Sequence, residues 1–111
     1  MDRKQTLEAA TKCVCGERQD QYGSPKDNFD VIAKLWTDYI GATITATDVA
    51  MMLCLLKIAR IKTGSVTEDS FVDLAGYAAL GAEVEDYIKA AAPCTTPLFQ
   101  EHIQNRFTKI D

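Results

Sequence analysis

Lys57 and Arg60 lie three residues apart, directly after the apolar run Val49 to Leu56. Beyond Gly64, Asp69 and Asp73 lie four apart, and Tyr77 follows four later. On a helix such spacings put side chains on one face. If the two segments fold back as an antiparallel hairpin with its turn near Ser65 and Val66, Arg60 comes level with Phe71 and Lys57 with Leu74. Two cations then face two carboxylates at the edge of a core. Arginine's planar fork suits phosphate oxygens, and the carboxylates suit ligand hydroxyls or a metal. The cluster is either an internal salt-bridge lock or one wall of a site for a charged ligand.

A second polar group surrounds Tyr22-Gly23-Ser24-Pro25 and comprises Arg18, Tyr22, Lys26 and Asn28. This turn leads into a helix N-terminus, whose free N–H groups favour anions. Tyr22 can stack on a base and Asn28 can bond its edge; an ordinary capped turn is the alternative. Taken together, Arg18, Tyr22, Asn28, Lys57, Arg60, Asp69, Asp73 and Tyr77 would make a pocket for a nucleotide-like, phosphate-bearing ligand, with no cofactor. No phosphate-binding glycine loop and no Ser/His/Asp arrangement is present. The single histidine, His102, sits in the tail and reads as a surface residue. The spacing of Cys13, Cys15, Cys54 and Cys94 is not that of a zinc site, so all four read as reduced thiols.

The elements that must hold these residues are helical. A first helix runs from about Lys4 to Arg18, with Leu7, Ala10 and Val14 at helical spacing and Gly16 weakening its end. A second starts at Ser24 as N-cap with Pro25 in the first position and Asp27 placed for a capping box. It buries Phe29, Ile32, Ala33, Trp36 and Ile40 and stops at Gly41. A third starts at Thr45, with Asp48 as the capping acid. It is apolar nearly all round over Val49 to Leu56, which predicts either the centre of the bundle or a subunit interface. A fourth starts at Thr67 and runs to about Ala91, with Gly76 and Gly81 leaving room for close approach. The fold class is all-α: a compact four-helix bundle-like domain over 1–92, expected to form a homo-oligomer. A tail over 93–111 carries a short docking helix with Phe99, Ile103 and Phe107 four apart.

Bulk properties agree with one domain. The chain has 111 residues, 16 acidic and 12 basic, for a net charge of -4. That balance argues against a nucleic-acid polymer as partner, which cations would have to neutralise. Met1-Asp2-Arg3-Lys4 leads into a mixed segment and not the apolar run of a signal peptide. The longest apolar run is far below the roughly 20 residues a membrane span requires. The cytoplasm is the expected location, with no membrane partner.

Tyr22-Gly23-Ser24-Pro25-x-x-Asn28-Phe29, Trp36, Asp48-Val49-Ala50, Lys57-x-x-Arg60 and Asp69-x-x-Val72-Asp73-x-Ala75-Gly76-Tyr77-Ala78 resemble the signature of a family of small phage and prophage proteins. The likeness spans about Gly16 to Glu83 and implies a phage origin and the cytoplasm of an infected bacterial host. It implies no particular activity. A more distant likeness is to the MazG-like all-α nucleoside triphosphate pyrophosphohydrolases. That likeness implies Mg²⁺ held by Glu17, Asp20, Asp69 and Asp73, although Ser70 stands where the second acidic pair has its partner. Three readings follow. The leading one is a non-enzymatic nucleotide-binding protein, in its biological form an anti-defence sponge that sequesters a host immune signalling nucleotide. The alternatives are a Mg²⁺-dependent pyrophosphohydrolase and a protein–protein inhibitor of a host factor.

Overall fold

The computed structural model describes residues 1–16 and 23–91. They form four α-helices and, among the described residues, no strand: α1 (Arg3–Cys15), α2 (Pro25–Ile40), α3 (Ala46–Thr63) and α4 (Glu68–Ala91). The expected tail helix over 98–107 lies outside the described residues.

Local chemistry sets most helix ends. At α1 the Asp2 carboxylate accepts the Gln5 N–H at 2.8 Å, and Gln5 Oε1 accepts the Asp2 N–H at 2.9 Å. Helix α1 thus begins one residue earlier than expected and stops at Cys15, short of Arg18. At α2, Ser24 Oγ accepts the Asp27 N–H at 3.2 Å, and only this serine arm of the capping box forms. Gly41 ends α2 in the left-handed region (φ 80°), with its N–H on the Thr37 carbonyl at 2.8 Å. Glycine adopts that backbone without the strain a Cβ would bring. The Thr37 hydroxyl then accepts the Ile44 N–H at 2.8 Å and donates to the Ile44 carbonyl at 3.2 Å, which fixes the turn into α3. At α3 both arms of the box form: Thr45 Oγ1 accepts the Asp48 N–H at 3.1 Å and Asp48 Oδ2 accepts the Thr45 N–H at 3.0 Å. The expected capping role of Asp48 is observed.

The hub of the bundle is α4, which packs against α1, α2 and α3, whereas α1 packs on α4 alone among the described residues. The core cluster comprises Phe29, Ala33, Ala46, Val49, Ala50, Leu80 and Val84. Trp36, Ile32, Ile44, Leu53 and Tyr77 are partly buried around it. Helices α1 and α4 run in the same sense, with the Met1 amine on Glu68 Oε1 at 2.9 Å and Val14 against Gly76. Both internal glycines of α4 serve close packing. A Cβ on Gly76 would sit 3.1 Å from Val14 Cγ1, and one on Gly81 would sit 3.0 Å from the Ala50 Cβ.

Three expectations change. Leu7 is exposed, because α1 turns Ala10 and the half-buried Val14 toward α4 and needs only that narrow stripe. Ile40 is also exposed, since α2 has run past its contact with the core at its last turn. Of the two alternatives for α3, the central position does not hold: Ala46, Val49, Ala50 and Cys54 face inward, Met52, Leu55, Leu56 and Ile58 lie on its outer side in water, and the half-exposed Met51 lies at the edge with its Cε against Gly81. No described helix is long and apolar enough to cross a membrane.

Candidate functional site

Helices α3 and α4 form the antiparallel hairpin that the turn position implies. Its rungs descend from the Thr47 hydroxyl donating to Glu85 Oε2, through Ala50 against Gly81 and Cys54 Sγ donating to the Leu74 carbonyl at 3.9 Å, to Lys57 with Asp73. Lys57 continues the inward stripe of α3, one turn beyond Cys54. Its stem therefore runs along apolar surface while the ammonium reaches the rim. There Lys57 Nζ meets Asp73 Oδ2 at 2.8 Å, with the lysine side chain 12% and the aspartate 34% exposed.

Arg60 and Asp69 stand differently. Both are exposed, and among the described residues neither has an ion-pair partner. Asp69 lies level with the last turn of α3, next to the short turn through Gly64 that joins the two helices. The charged cluster is thus split into a shielded pair and two groups in water.

The other expected site residues are distributed along the bundle. Asn28 is half-buried in the first turn of α2, with its backbone N–H on the Ser24 carbonyl at 3.1 Å. Tyr77 is one turn beyond Asp73 on α4, half-buried, with its ring packed against the core cluster. Glu17, Arg18, Asp20 and Tyr22 lie outside the described residues. Among the described residues no three His, Cys, Asp or Glu side chains gather as they would around a metal ion. Two shallow depressions follow α1, one lined by Arg3, Lys4, Leu7 and Lys12 and one by Met1, Gln5, Glu8 and Glu68. Neither is lined by Lys57, Arg60, Asp69 or Asp73.

Among the described residues, two ionisable groups depart from their ordinary behaviour. Burial pushes the Cys54 thiol up, because the thiolate would lose its hydration. The Met1 amine is raised by its hydrogen bond to Glu68. The Thr47–Glu85 bond was not expected from residue types; counting outward from the turn between Ser65 and Val66 sets Thr47 level with Val84, the neighbour of Glu85.

Residues 5–85 match the family model described as Domain of unknown function (DUF6378). The chain belongs to the DUF6378 family. That match takes in nearly all of α1, the whole of α2 and α3, and α4 as far as Glu85, so every rung of the hairpin lies within the family domain. The chain is 46% identical over 72 residues to the Gene 55 protein of Mycobacterium phage D29, covering 65% of this chain and 48% of that protein. It is 44% identical over 73 residues to the Gene 55 protein of Mycobacterium phage L5, covering 65% of this chain and 47% of that one. The matched segment is therefore about half the length of these curated relatives. They bear out the expectation of a phage-protein family. No solved structure matches the chain.

Proposed function

We propose that this DUF6378 chain is a non-catalytic binding protein for a small, phosphate-bearing, nucleotide-like ligand, taken up on the surface at the turn end of the α3–α4 hairpin. The observation that carries the reading is the split of the charged cluster, with Arg60 and Asp69 in water beside the shielded Lys57–Asp73 pair. An exposed guanidinium offers two parallel N–H donors to two phosphate oxygens. Asp69 offers an acceptor for a ligand hydroxyl, and Lys57 a second cation once an anion competes with Asp73 for it. Arg18, Tyr22, Asn28 and Tyr77 complete the pocket in this reading, with a base stacked on Tyr22. Its biological form is a sponge for a host immune signalling nucleotide in the cytoplasm of an infected bacterium, which the phage relatives make the natural setting.

Calorimetry with the full chain tests it, using nucleoside triphosphates, cyclic dinucleotides and ADP-ribose as probes. Saturable binding of one class, lost in Arg60→Ala and Asp69→Ala, is the expected result. Absence of binding across the panel ends the reading. The same panel with Mg²⁺ addresses the pyrophosphohydrolase alternative, which requires pyrophosphate release that disappears in Asp73→Asn. A second reading, a protein–protein inhibitor of a host factor whose charged cluster is only a clasp, is favoured by the Lys57–Asp73 pair itself. It requires that no small molecule raise the melting temperature.

A further inference from the structure

The outer side of α3 is the largest feature the ligand reading leaves unused. Met51, Met52, Leu55, Leu56 and Ile58 are each 36–63% exposed, and no charged residue interrupts α3 between Asp48 and Lys57. At that exposure the five side chains leave on the order of 400 Å² of apolar surface in water, the size of the largest patch on a typical monomer and one that commonly has a use. The apolar residues on the outer side of α2, Val31, Leu35 and Tyr39, are by contrast interleaved with Lys34 and Asp38.

We infer that this face binds a second copy of the chain, α3 against α3, antiparallel about a two-fold axis near Leu55. Three observations choose that occupant. The first is spacing: Asp48, Met52, Leu55, Ala59 and Lys62 recur at alternating intervals of four and three, the seam along which two helices interlock. Ala59 lets the axes approach closely. The second is charge. Asp48 marks one end of the seam and Lys62 the other, so an antiparallel pair sets Asp48 opposite Lys62 of the partner subunit, twice. A parallel pair would set like charges together. The helix dipoles also favour the antiparallel sense. The third is area. Two such patches with their rims come to roughly 1,200 Å², where stable interfaces begin. The two-fold makes the contact self-complementary, with Leu55, the most exposed of the five, on the axis.

The test is sedimentation and light scattering of the full chain over a dilution series, with helix content followed by circular dichroism. The wild type sediments as a dimer, Leu55→Met stays dimeric, and Leu55→Arg dimerises on the order of a hundred-fold more weakly while remaining helical. Lys62→Glu, which leaves the Thr45–Asp48 cap intact, weakens the dimer a few-fold at low salt. A monomeric wild type overturns the proposal, whether residues 93–111 or a foreign protein then cover the face. A dimer indifferent to Leu55→Arg places the contact elsewhere and also overturns it. A Lys62→Glu dimer as tight as the wild type overturns the antiparallel orientation, because a parallel pair would only exchange one like-charge contact for another.

Discussion

Lys57 and Asp73 meet at 2.8 Å across the α3–α4 hairpin, with the lysine side chain nearly withdrawn from water and the carboxylate at the rim. The pair links the two helices that share the most extensive contact in the bundle. Removing the acid alone leaves an ammonium that has lost both hydration and partner. Asp73→Ala is expected to lower unfolding free energy by about 2 kcal/mol, within the usual cost of stranding a charged hydrogen-bonding group. Combining it with Lys57→Met, which keeps the apolar stem, should recover most of the loss. Urea denaturation of the single and double variants measures both.

Arg60 answers differently because it stands in water. Substituting an exposed residue without a partner changes stability by less than about 0.5 kcal/mol. Arg60→Ala should therefore melt with the wild type and yet fail to bind the phosphate-bearing ligand of the proposed function. A melting curve and a calorimetric titration on the same preparation separate these effects. A drop of several kcal/mol would show instead that Arg60 belongs to the clasp.

Local signals carried much of this fold. Ser24 with Pro25, Thr45 with Asp48, and Gly41 mark helix ends because the cap is made by residues within one turn of each other. Counting from the turn at Ser65 gave the hairpin register for the same reason: it depends only on chain length along two regular rods. What a helix faces is not local. Leu7, Ile40 and the outer side of α3 are apolar, and only the position of neighbouring helices decides whether such residues are covered. The hub role of α4 was legible only in part: Gly76 and Gly81 signalled room for a close approach, but that α1 uses the first and α3 the second depends on how the helices pack. The split of the charged cluster was equally invisible. Asp69 and Asp73 share a face, but Asp73 lies beside α3 and Asp69 beside its end.

The close approach at Gly81 predicts a substitution effect opposite to helix propensity. Alanine in place of glycine within a helix gains about 1 kcal/mol in an unhindered setting. Here the new methyl would lie 3.0 Å from the Ala50 Cβ, on a backbone held by the core, and 3.1 Å from Met51 Cε. Overpacking of this kind costs about 1–3 kcal/mol. Gly81→Ala should therefore be destabilising by about 1 kcal/mol net, and Gly81→Leu should prevent stable folding. Adding Ala50→Gly to Gly81→Ala should relieve the contact, which thermal melts of the pair and the two single variants would show.

Cys54 supplies a test of core integrity that needs no ligand. Its thiol is buried on α3 with the sulfur directed at the Leu74 carbonyl, and desolvation raises its pKa. Cys13 and Cys15 on α1 are exposed. A thiol reagent at neutral pH should modify those two at once, and Cys54 only at the rate at which the bundle opens, because the protonated, covered sulfur is a poor nucleophile. The sign of the pH dependence follows from linkage. Below the unfolded thiol value of about 8.5, both states hold the proton and stability is full. Above it the unfolded chain releases the proton first, so stability falls as pH rises toward the folded value. Cys54→Ala should remove that alkaline loss while costing a small constant amount from lost packing. Urea midpoints of the two proteins between neutral and alkaline pH should therefore converge as the pH is raised. Parallel midpoints would mean that Cys54 is as solvated as Cys13 and that the α3–α4 contact around it is open.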